Sequence, residues 1–488
     1  MLWLVPALLA CRSPDADPPR DPGTDTPTES PVDSGPSTTS PTDSTPLPTA
    51  STGRDSTPLP VASSPYVTDA PPPTNVLLLS IDTLRADHIG SNGEPEGVAT
   101  PNLDGLLARG LALRTHRSCS SWTLPSFTCI YTGRDQVTEG FFPNNRAITS
   151  YPNDELVSLA TRFAAAGYAT RQVSGNSLIG TKYNLGQGFE VLVRTTASVQ
   201  TASRSIAELE DLTASDQPWF LQVHFMTPHT AYAPEERFLE GDTACSTHDL
   251  TTKAGFRTWH RQREWLLTPD PGCDAHLAEL YDALVREVDH YVGEVLAALE
   301  ASGAADDTVV LFVTDHGEAF DEHGDWEHGF ANYDTLTRST AGLIAPGRIE
   351  VAEHTGVTSH EDLAPTLLEA LGWAVPEEMV GHPVGTVDEA ASFQLTFHAD
   401  ETVQTVSDAR GRLHYWWDGR FAYHDLSTDP DELVDTEVAG EPHVEALWTL
   451  LVPRIQALAA EVEDEGLAPQ GIDLRLSRGT GPGPGGLP

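Results

Sequence analysis

Two strand-like segments of this chain end in side chains that bind metal ions. The first, NVLLLSID at 75–82, is an apolar run that closes on Asp82, and the second, TVVLFVTDH at 308–316, closes on Asp315 and His316. Buried strands of a parallel sheet read as continuous apolar runs, and open α/β sheets carry their chemistry at the carboxyl ends of the strands. Together the two ends predict one site for a divalent cation, whereas either end alone would read as a solvated turn.

A third segment, SCSSWTLPSFTCIYTGR at 118–134, predicts a hydroxyl at the start of a helix. Pro125 is expected as the first helical residue, and Gly133 is expected to end a helix of about two turns. Thr123 would then lie where backbone N–H groups and the helix dipole favour an anion. Thr123 could be an ordinary N-cap. Beside a cation, however, its hydroxyl would lose a proton more easily and could attack phosphorus or sulfur.

The segments around these residues alternate between strand and helix patterns, which indicates a layered α/β domain. Residues 75–390 are predicted to form this main domain. Short antiparallel strands followed by a helix near 441–463 predict a smaller C-terminal α+β unit over 391–465. Within the main domain, strands are predicted at NVLLLSID, TRQVSG, WFLQVHFM and TVVLFVTD, and helices at 100–110, 154–169, 198–213, 274–302 and 359–372.

Composition restricts the possible partners. The chain has 488 residues, with 72 Asp and Glu against 28 Lys and Arg, for a formal net charge of −44. Such a charge repels nucleic acid and anionic lipid surfaces, so neither is an expected partner. The length suffices for two domains, or for one large α/β domain with an appendage.

The first eleven residues, MLWLVPALLAC, resemble a bacterial lipoprotein signal in which Cys11 is lipidated. The run is too short to span a bilayer and lacks the basic residues of a secretory signal, so a cleaved signal and a cytosolic protein are the alternatives. Residues 12–74 are rich in Pro, Ser, Thr and Asp and predict a disordered tether, and 466–488 predict a disordered tail. We therefore expect an exported protein of the bacterial cell envelope, on its periplasmic or outer-membrane face, that contacts the membrane through its lipid alone.

In an exported protein Cys245 and Cys273 could form a disulfide. Cys119 and Cys129 lie on either side of Thr123. The chain has no CxxC motif, and the cysteine spacing therefore does not suggest a zinc site.

These segments together resemble the sulfatase branch of the alkaline phosphatase superfamily over about 75–465. The resemblance implies a three-layer α/β sandwich with a mostly parallel central sheet and a smaller C-terminal α+β unit. The motifs that carry it are SIDTLRADHIG, TPNLDGLLARG, WTLPSFTCIYTGR, HFMTPH, TDHGEAFDEHG, WEHG, DLAPTLLEALG and HDLSTDPDELVD.

The resemblance also implies roles for individual residues. One divalent cation is expected, with Mn or Mg favoured and Zn or Ca as alternatives. Asn176 could hydrogen-bond the substrate, although a turn is the ordinary position for such an Asn. His224 is expected within a strand, and His88 and His323 are expected to be structural. The implied metal ligands are Asp82, Thr123, Asp315 and His316; Thr123 is also the implied nucleophile, and His229 and His328 would contact the anionic oxygens or protonate the leaving group.

Departures from the family pattern affect the expected chemistry. Thr123 replaces the Cys or Ser that sulfatases convert to formylglycine, and a threonine cannot be converted in this way. Phe127 replaces the supporting Arg, Thr83 replaces a second Asp, and Glu139 replaces a His. Thr-nucleophile relatives act on phosphoryl groups.

The first hypothesis for the function is therefore hydrolysis of a phosphate mono- or diester through a covalent phosphothreonine. The alternative is a sulfate-ester hydrolase that uses unmodified Thr123. A catalytically silent envelope binding protein is a third reading, supported by the missing Arg and His. In either enzymatic reading the substrate is an anionic ester, either a small molecule or one linked to a glycan or lipid.

Overall fold

The structure is a computed structural model that describes residues 65–67, 72–92, 98–139, 156–241, 243–266, 270–387, 390–397, 402–434 and 441–464. The predicted lipidation site Cys11, most of the 12–74 tether and the 466–488 tail lie outside these residues. Within the predicted tether, Tyr66 forms a β-bridge with Ile349, so the fold includes residues that the sequence pattern assigns to the tether. Across the described part of the chain, no helix combines the length and apolarity needed to cross a membrane.

An eight-stranded sheet forms the centre of the described chain, in the order β10-β2-β9-β6-β1-β5-β3-β4. Strand β9 runs antiparallel to β2 and β6, and the other neighbours are parallel. Strands β7 and β8 form a separate short hairpin. The strands are β1 (Asn75–Ile81), β2 (Leu111–Arg117), β3 (Ala169–Ser174), β4 (Val191–Arg194), β5 (Trp219–Phe225), β6 (Thr308–Thr314), β7 (Ala319–Phe320), β8 (Trp326–Glu327), β9 (Ala341–Ile344) and β10 (Ala352–Ser359).

Helices cover both faces of this sheet, because its central strands are apolar on both sides. On β1, Leu77 and Leu79 pack with α1, α4 and α6, while Val76 and Leu78 pack with α2, α3 and α8. The result is the layered α/β architecture that the sequence predicts. The helices are α1 (Pro101–Leu107), α2 (Thr123–Thr132), α3 (Leu159–Ala165), α4 (Ser198–Thr213), α5 (Lys253–Leu266), α6 (Pro271–Ser302), α7 (Asp334–Thr337) and α8 (Leu363–Ala370).

The C-terminal unit is a four-stranded antiparallel sheet covered by one helix, in agreement with the predicted α+β unit. Its elements are β11 (Ser392–Phe397), β12 (Thr402–Ser407), β13 (Gly411–Trp416), β14 (Phe421–Asp425) and α9 (Pro442–Asp464). This unit also holds the loop that precedes α2. The Leu395 N–H donates to the Cys119 carbonyl over 2.9 Å, and the Thr396 hydroxyl lies 2.9 Å from that of Ser121.

Three local predictions need correction. Trp122, not Thr123, is the cap of α2, so Thr123 is the first helical residue and Pro125 the third. The helix has 10 residues and ends at Gly133 as predicted, where the positive φ of 66° favours glycine. Of the helix expected over 154–169, residues 154 and 155 lie outside the described residues. The described helix is Leu159–Ala165: it begins after its cap Ser158 and ends before β3, which starts at Ala169.

Two disulfides lie in the described chain. The pairing of Cys245 with Cys273 agrees with the sequence, whereas that of Cys119 with Cys129 was not predicted. The second bond joins the loop before Thr123 to the helix that Thr123 begins.

Candidate active site

The two predicted strand ends lie side by side at the carboxyl ends of the central strands. Strands β1 and β6 are parallel neighbours with Ile81 opposite Thr314, so Asp82 and Asp315 emerge side by side. Ligand atoms of Asp82, Asp315 and His316 all lie within 4.8 Å of one another. All three side chains are fully buried. The structure therefore brings together the two carboxylates and the imidazole that the sequence predicts as metal ligands.

The chemistry of this group fits a divalent cation. Asp82 Oδ1 and Asp315 Oδ2 are buried and have no hydrogen-bond partner among the described residues. Burial and the Asp82 carboxylate raise the pKa of Asp315 well above its usual range, since two buried carboxylates repel each other. A shared cation would supply the charge that this pair requires.

His316 has the tautomer that a metal ligand needs. Its Nδ1 donates to the Gly317 carbonyl over 2.9 Å, which leaves the Nε2 lone pair for a cation. Burial, followed by the neighbouring His328, lowers the pKa of His316 well below its usual value, so the ring stays neutral. Gly317 is required here because a Cβ would lie 1.9 Å from the Thr335 carbonyl oxygen.

Thr123 lies against this group from the start of α2. Its Oγ1 is 3.4 Å from His316 Nε2 and 3.5 Å from Asp82 Oδ2, and the residue is 2% exposed. The preceding turn is held by the Cys119–Cys129 disulfide. These contacts place the Thr123 hydroxyl beside the ligands, where the sequence expected a nucleophile.

Asn176 follows β3 and binds both predicted groups. Its Nδ2 donates to Asp82 Oδ2 over 2.6 Å and to Thr123 Oγ1 over 3.2 Å. Its Oδ1 accepts the Leu178 N–H over 2.9 Å, as a turn Asn does. Asn176 therefore fixes the position of Asp82 and Thr123, and its contact with substrate stays a prediction.

His229 and His328 lie together beside His316. The rings of His229 and His328 have centroids 5.0 Å apart, and those of His328 and His316 are 4.5 Å apart. His229 Nδ1 donates to the Thr230 carbonyl over 2.7 Å, and His328 Nδ1 donates to Glu318 Oε1 over 2.8 Å. Burial lowers the pKa of His328, but the Glu318 carboxylate, together with those of Asp82 and Glu327, raises it above its usual value. Each ring is thus anchored through Nδ1, and their roles toward substrate stay predictions.

His224 is a site residue whose function the sequence did not indicate. It lies in β5 as expected, and its Nε2 donates to Asp82 Oδ2 over 3.1 Å, while Nδ1 lies 3.0 Å from the Ser80 hydroxyl. Burial alone would raise the pKa of Asp82, but the His224 hydrogen bond and nearby imidazoles lower it. Phe127, in the position of the family's Arg, packs edge-on against His224 with centroids 5.0 Å apart. An imidazole in a mostly apolar buried strand was the available signal, because such a group needs a partner.

Thr83 connects the two strand ends. Its backbone N–H donates to Asp315 Oδ1 over 3.1 Å. Its φ of 52° lies in the left-handed region, which is unusual for a β-branched residue and costs about 1–3 kcal/mol. Such strain persists where the surroundings impose it. Here the Asp315 carboxylate binds the Thr83 N–H, and the Tyr281 hydroxyl donates to the Thr83 carbonyl over 2.7 Å.

The other two histidines that the sequence considered have partners of their own. His88 Nδ1 lies 3.0 Å from Asp282, and His323 stacks on Tyr333 with centroids 3.5 Å apart. Both contacts agree with structural roles.

The fold is that of the alkaline phosphatase-like class, with a buried candidate cation site at the carboxyl ends of the central strands. The sequence profile of the sulfatase family matches residues 74–373. The chain belongs to the sulfatase family. Iduronate 2-sulfatase of Mus musculus is 26% identical over 333 residues, which cover 56% of this chain and 60% of that enzyme. An arylsulfatase of Clostridium perfringens is 21% identical over 442 residues, covering 74% and 89% respectively.

Solved structures agree on the fold. A 2-O GAG sulfatase superposes with a TM-score of 0.65 at 17% identity, covering 85% of this chain and 98% of that one. The phosphonate monoester hydrolase of Agrobacterium radiobacter gives a TM-score of 0.60 at 20% identity, covering 80% and 96%. At these identities the likeness establishes the fold alone, and it includes enzymes named for two different ester chemistries.

Proposed function

We propose that the protein hydrolyses a sulfate monoester, with unmodified Thr123 as nucleophile and one divalent cation at Asp82, Asp315 and His316. The observation that carries this proposal is the contact of Thr123 Oγ1 with both Asp82 and His316. The named sulfatase relatives favour sulfate over the phosphate ester that the sequence first indicated.

The first step transfers the sulfuryl group to the enzyme. Thr123 Oγ1 bonds to sulfur while the S–O bond to the alcohol breaks, and the hydroxyl proton passes toward Asp82 Oδ2, 3.5 Å away. The departing oxygen takes a proton from Nε2 of His229 or His328. Asn176 holds Oγ1 and Asp82 in this arrangement through its Nδ2.

The second step releases sulfate. Water gives a proton to the same histidine and attacks sulfur, the bond from sulfur to Thr123 breaks, and Oγ1 recovers its proton from Asp82. When bound, a divalent cation would lower the pKa of the Thr123 hydroxyl and stabilise negative charge on the ester oxygens. Mn and Mg suit the ligands best, because two carboxylates and one imidazole form a hard-to-borderline set.

A phosphate or phosphonate ester is the second candidate. A specific feature favours it: Thr123 cannot become formylglycine, and phosphoryl transfer requires in-line attack and charge stabilisation but no aldehyde. The structural likeness to a phosphonate monoester hydrolase is compatible with it. The same residues would act, with phosphothreonine in place of sulfothreonine.

A matched pair of substitutions tests the proposal. Thr123→Val and Thr128→Val each remove one buried hydroxyl from α2, but Thr128 Oγ1 donates to the Leu124 carbonyl rather than contacting the ligands. Turnover of aryl sulfate, aryl phosphate and bis-aryl phosphate is measured with Mn, Mg, Ca or Zn. We expect sulfate turnover in the wild type and in Thr128→Val, and none in Thr123→Val.

The other outcomes of this panel separate the candidates. Preference for an aryl phosphate, lost in Thr123→Val, would replace the sulfate proposal with the second candidate. Metal binding without turnover of any ester would support a silent binding protein. Activity that survives in Thr123→Val would refute the nucleophile assignment.

We propose a sulfated sugar as substrate and the cell envelope as location. Names of the relatives support the first, since iduronate 2-sulfatase and the 2-O GAG sulfatase act on sulfated sugars by name. Two disulfides in the described chain support the second, because such bonds persist in oxidising compartments. Lipidation at Cys11 would hold the protein there.

A further inference from the structure

A chain of hydrogen bonds connects the two active-site histidines through a buried carboxylate. Glu318 is fully buried, and its Oε1 accepts from His328 Nδ1 over 2.8 Å. Its Oε2 accepts from the Tyr232 hydroxyl over 3.2 Å, and the Thr230 hydroxyl in turn donates to Tyr232 over 3.4 Å. The carbonyl of the same Thr230 accepts from His229 Nδ1.

Glu318 has no salt bridge to Lys or Arg within the described chain. The Glu318 side chain pairs with His328. The contact of Arg85 with Glu318 is to the backbone carbonyl, over 3.3 Å, and not to the carboxylate. A buried carboxylate costs free energy unless it is hydrogen-bonded, and here the donors are an imidazole and a phenol. The charge of the Glu318 carboxylate is therefore available to the imidazole of His328.

The backbone also restricts His328. Glu327 has a φ of 67° and Gly329 a φ of 88°, so the residues on both sides of His328 are in the left-handed region. A Cβ on Gly329 would lie 3.6 Å from Trp122 Cβ, next to Thr123 in sequence. The hairpin end thus sets the path of the backbone at His328, and the Glu318 hydrogen bond orients the ring.

We propose that Glu318 is a positioning residue that holds His328 with Nδ1 protonated, so that Nε2 faces the leaving group. The carboxylate can only accept, which assigns the Nδ1 proton, and Tyr232 fixes the second carboxylate oxygen. This inference rests on the proposed function, because the leaving group is the one that the ester hydrolysis releases.

A double-mutant cycle tests the inference. Glu318→Gln keeps an acceptor oxygen and removes the charge, and Tyr232→Phe removes only the donor to Oε2. The substrates are para-nitrophenyl sulfate, a good leaving group, and an alkyl sulfate, a poor one. Glu318→Gln should lower kcat/KM about tenfold for the alkyl ester and less than about twofold for the aryl ester, because general acids matter most for poor leaving groups. Tyr232→Phe should follow the same pattern more weakly.

In the His328→Ala background Glu318→Gln should change kcat/KM less than about twofold, because the two side chains act as one unit. The control is Asp408→Asn, which alters another carboxylate–imidazole pair, with His443 at 2.7 Å in the C-terminal unit. It should leave both substrates unchanged. Equal loss on both substrates, or an undiminished effect without His328, would indicate a purely structural role and overturn the inference.

A second readout does not depend on turnover. The Nδ1 proton of His328, identified in NMR spectra by its loss in His328→Ala, should appear far downfield in the wild type and move upfield in Glu318→Gln. If the wild type hydrolyses none of the esters, the proposed function fails while this signal still decides the hydrogen bond. Absence of the signal, or no change in Glu318→Gln, would overturn the inference.

Discussion

Removing the Asp315 charge from metal-free protein should change how stability depends on pH. Burial and the Asp82 carboxylate raise the pKa of Asp315 well above its usual value. A carboxyl whose pKa is raised by folding contributes stability that is complete below its unfolded pKa, about 4, and is lost as pH rises toward the folded value. The contribution of Asp315 to the stability of metal-free wild type should therefore fall from about pH 4 upward, and Asp315→Asn should lack this contribution.

The magnitude follows from one proton. Each pH unit between the unfolded and folded pKa values removes about 1.4 kcal/mol, so the interval from about pH 5 to 7 removes up to about 2.7 kcal/mol. Asp82 does not add to this window, because the pKa of Asp82 is lowered and its contribution changes only at acid pH. The other acidic groups are present in both proteins, so the difference between their slopes reports Asp315 together with its repulsion by Asp82.

Urea unfolding in EDTA across this pH range measures the two slopes, and the series is then repeated with Mn²⁺. Wild type should gain about 2.7 kcal/mol when the free metal is 100-fold above its Kd, whereas Asp315→Asn should gain almost nothing. Asp289→Asn is the control for a buried carboxyl outside the candidate cation site. Burial also raises the pKa of Asp289, but its carboxylate accepts N–H groups of α1. Equal slopes in wild type and Asp315→Asn, or equal stabilisation by Mn²⁺, would refute the cation site.

Three further predictions concern the surroundings of the site. His224→Phe removes the hydrogen bond to Asp82, so the affinity for Mn²⁺ measured by calorimetry should fall about 10- to 100-fold; an unchanged affinity would contradict the role given to His224. Replacing both Cys119 and Cys129 by serine should lower the free energy of unfolding in urea by about 2–3 kcal/mol, because the disulfide restricts the unfolded chain. Cys11→Ser should move the protein from the membrane fraction to the soluble exported fraction, and cytosolic fractionation of the native chain would rule out lipidation.

The ligands could be predicted from sequence because they follow strands that are apolar on both faces. Asp82 and Asp315 end the central strands β1 and β6, where an uninterrupted apolar run leaves few alternatives for the chain. Thr123 was found through its position ahead of Pro125 and Gly133. The order of these segments then predicted the family, and the family predicted the fold.

The surrounding hydrogen bonds could not be predicted, because they depend on strand register rather than on local pattern. His224 contacts Asp82 since β5 is the parallel neighbour of β1, with His224 opposite Ser80. Glu318 and Tyr232 are 86 positions apart and meet only after the sheet has formed. The sequence spacing of such residues does not show which of them will be in contact, so each is interpreted as an ordinary buried polar group.

Two departures from the family pattern also depended on the fold for their interpretation. Phe127 and Thr83 replace charged family residues, which from sequence alone suggests a weakened site. In the structure Phe127 packs against His224, and Thr83 donates its N–H to Asp315. Both residues therefore support the ligands without a charge of their own: Thr83 binds Asp315 directly, and Phe127 packs on the histidine that binds Asp82.

The central claim is that unmodified Thr123 carries the transferred group. The most direct measurement is mass spectrometry of the peptide that contains Thr123, after rapid acid quench of the metal-loaded protein turning over aryl sulfate. We expect a sulfo adduct on Thr123 in wild type, and neither adduct nor turnover in Thr123→Val. Turnover without an adduct in wild type, surviving in Thr123→Val, would contradict the role of Thr123 as nucleophile.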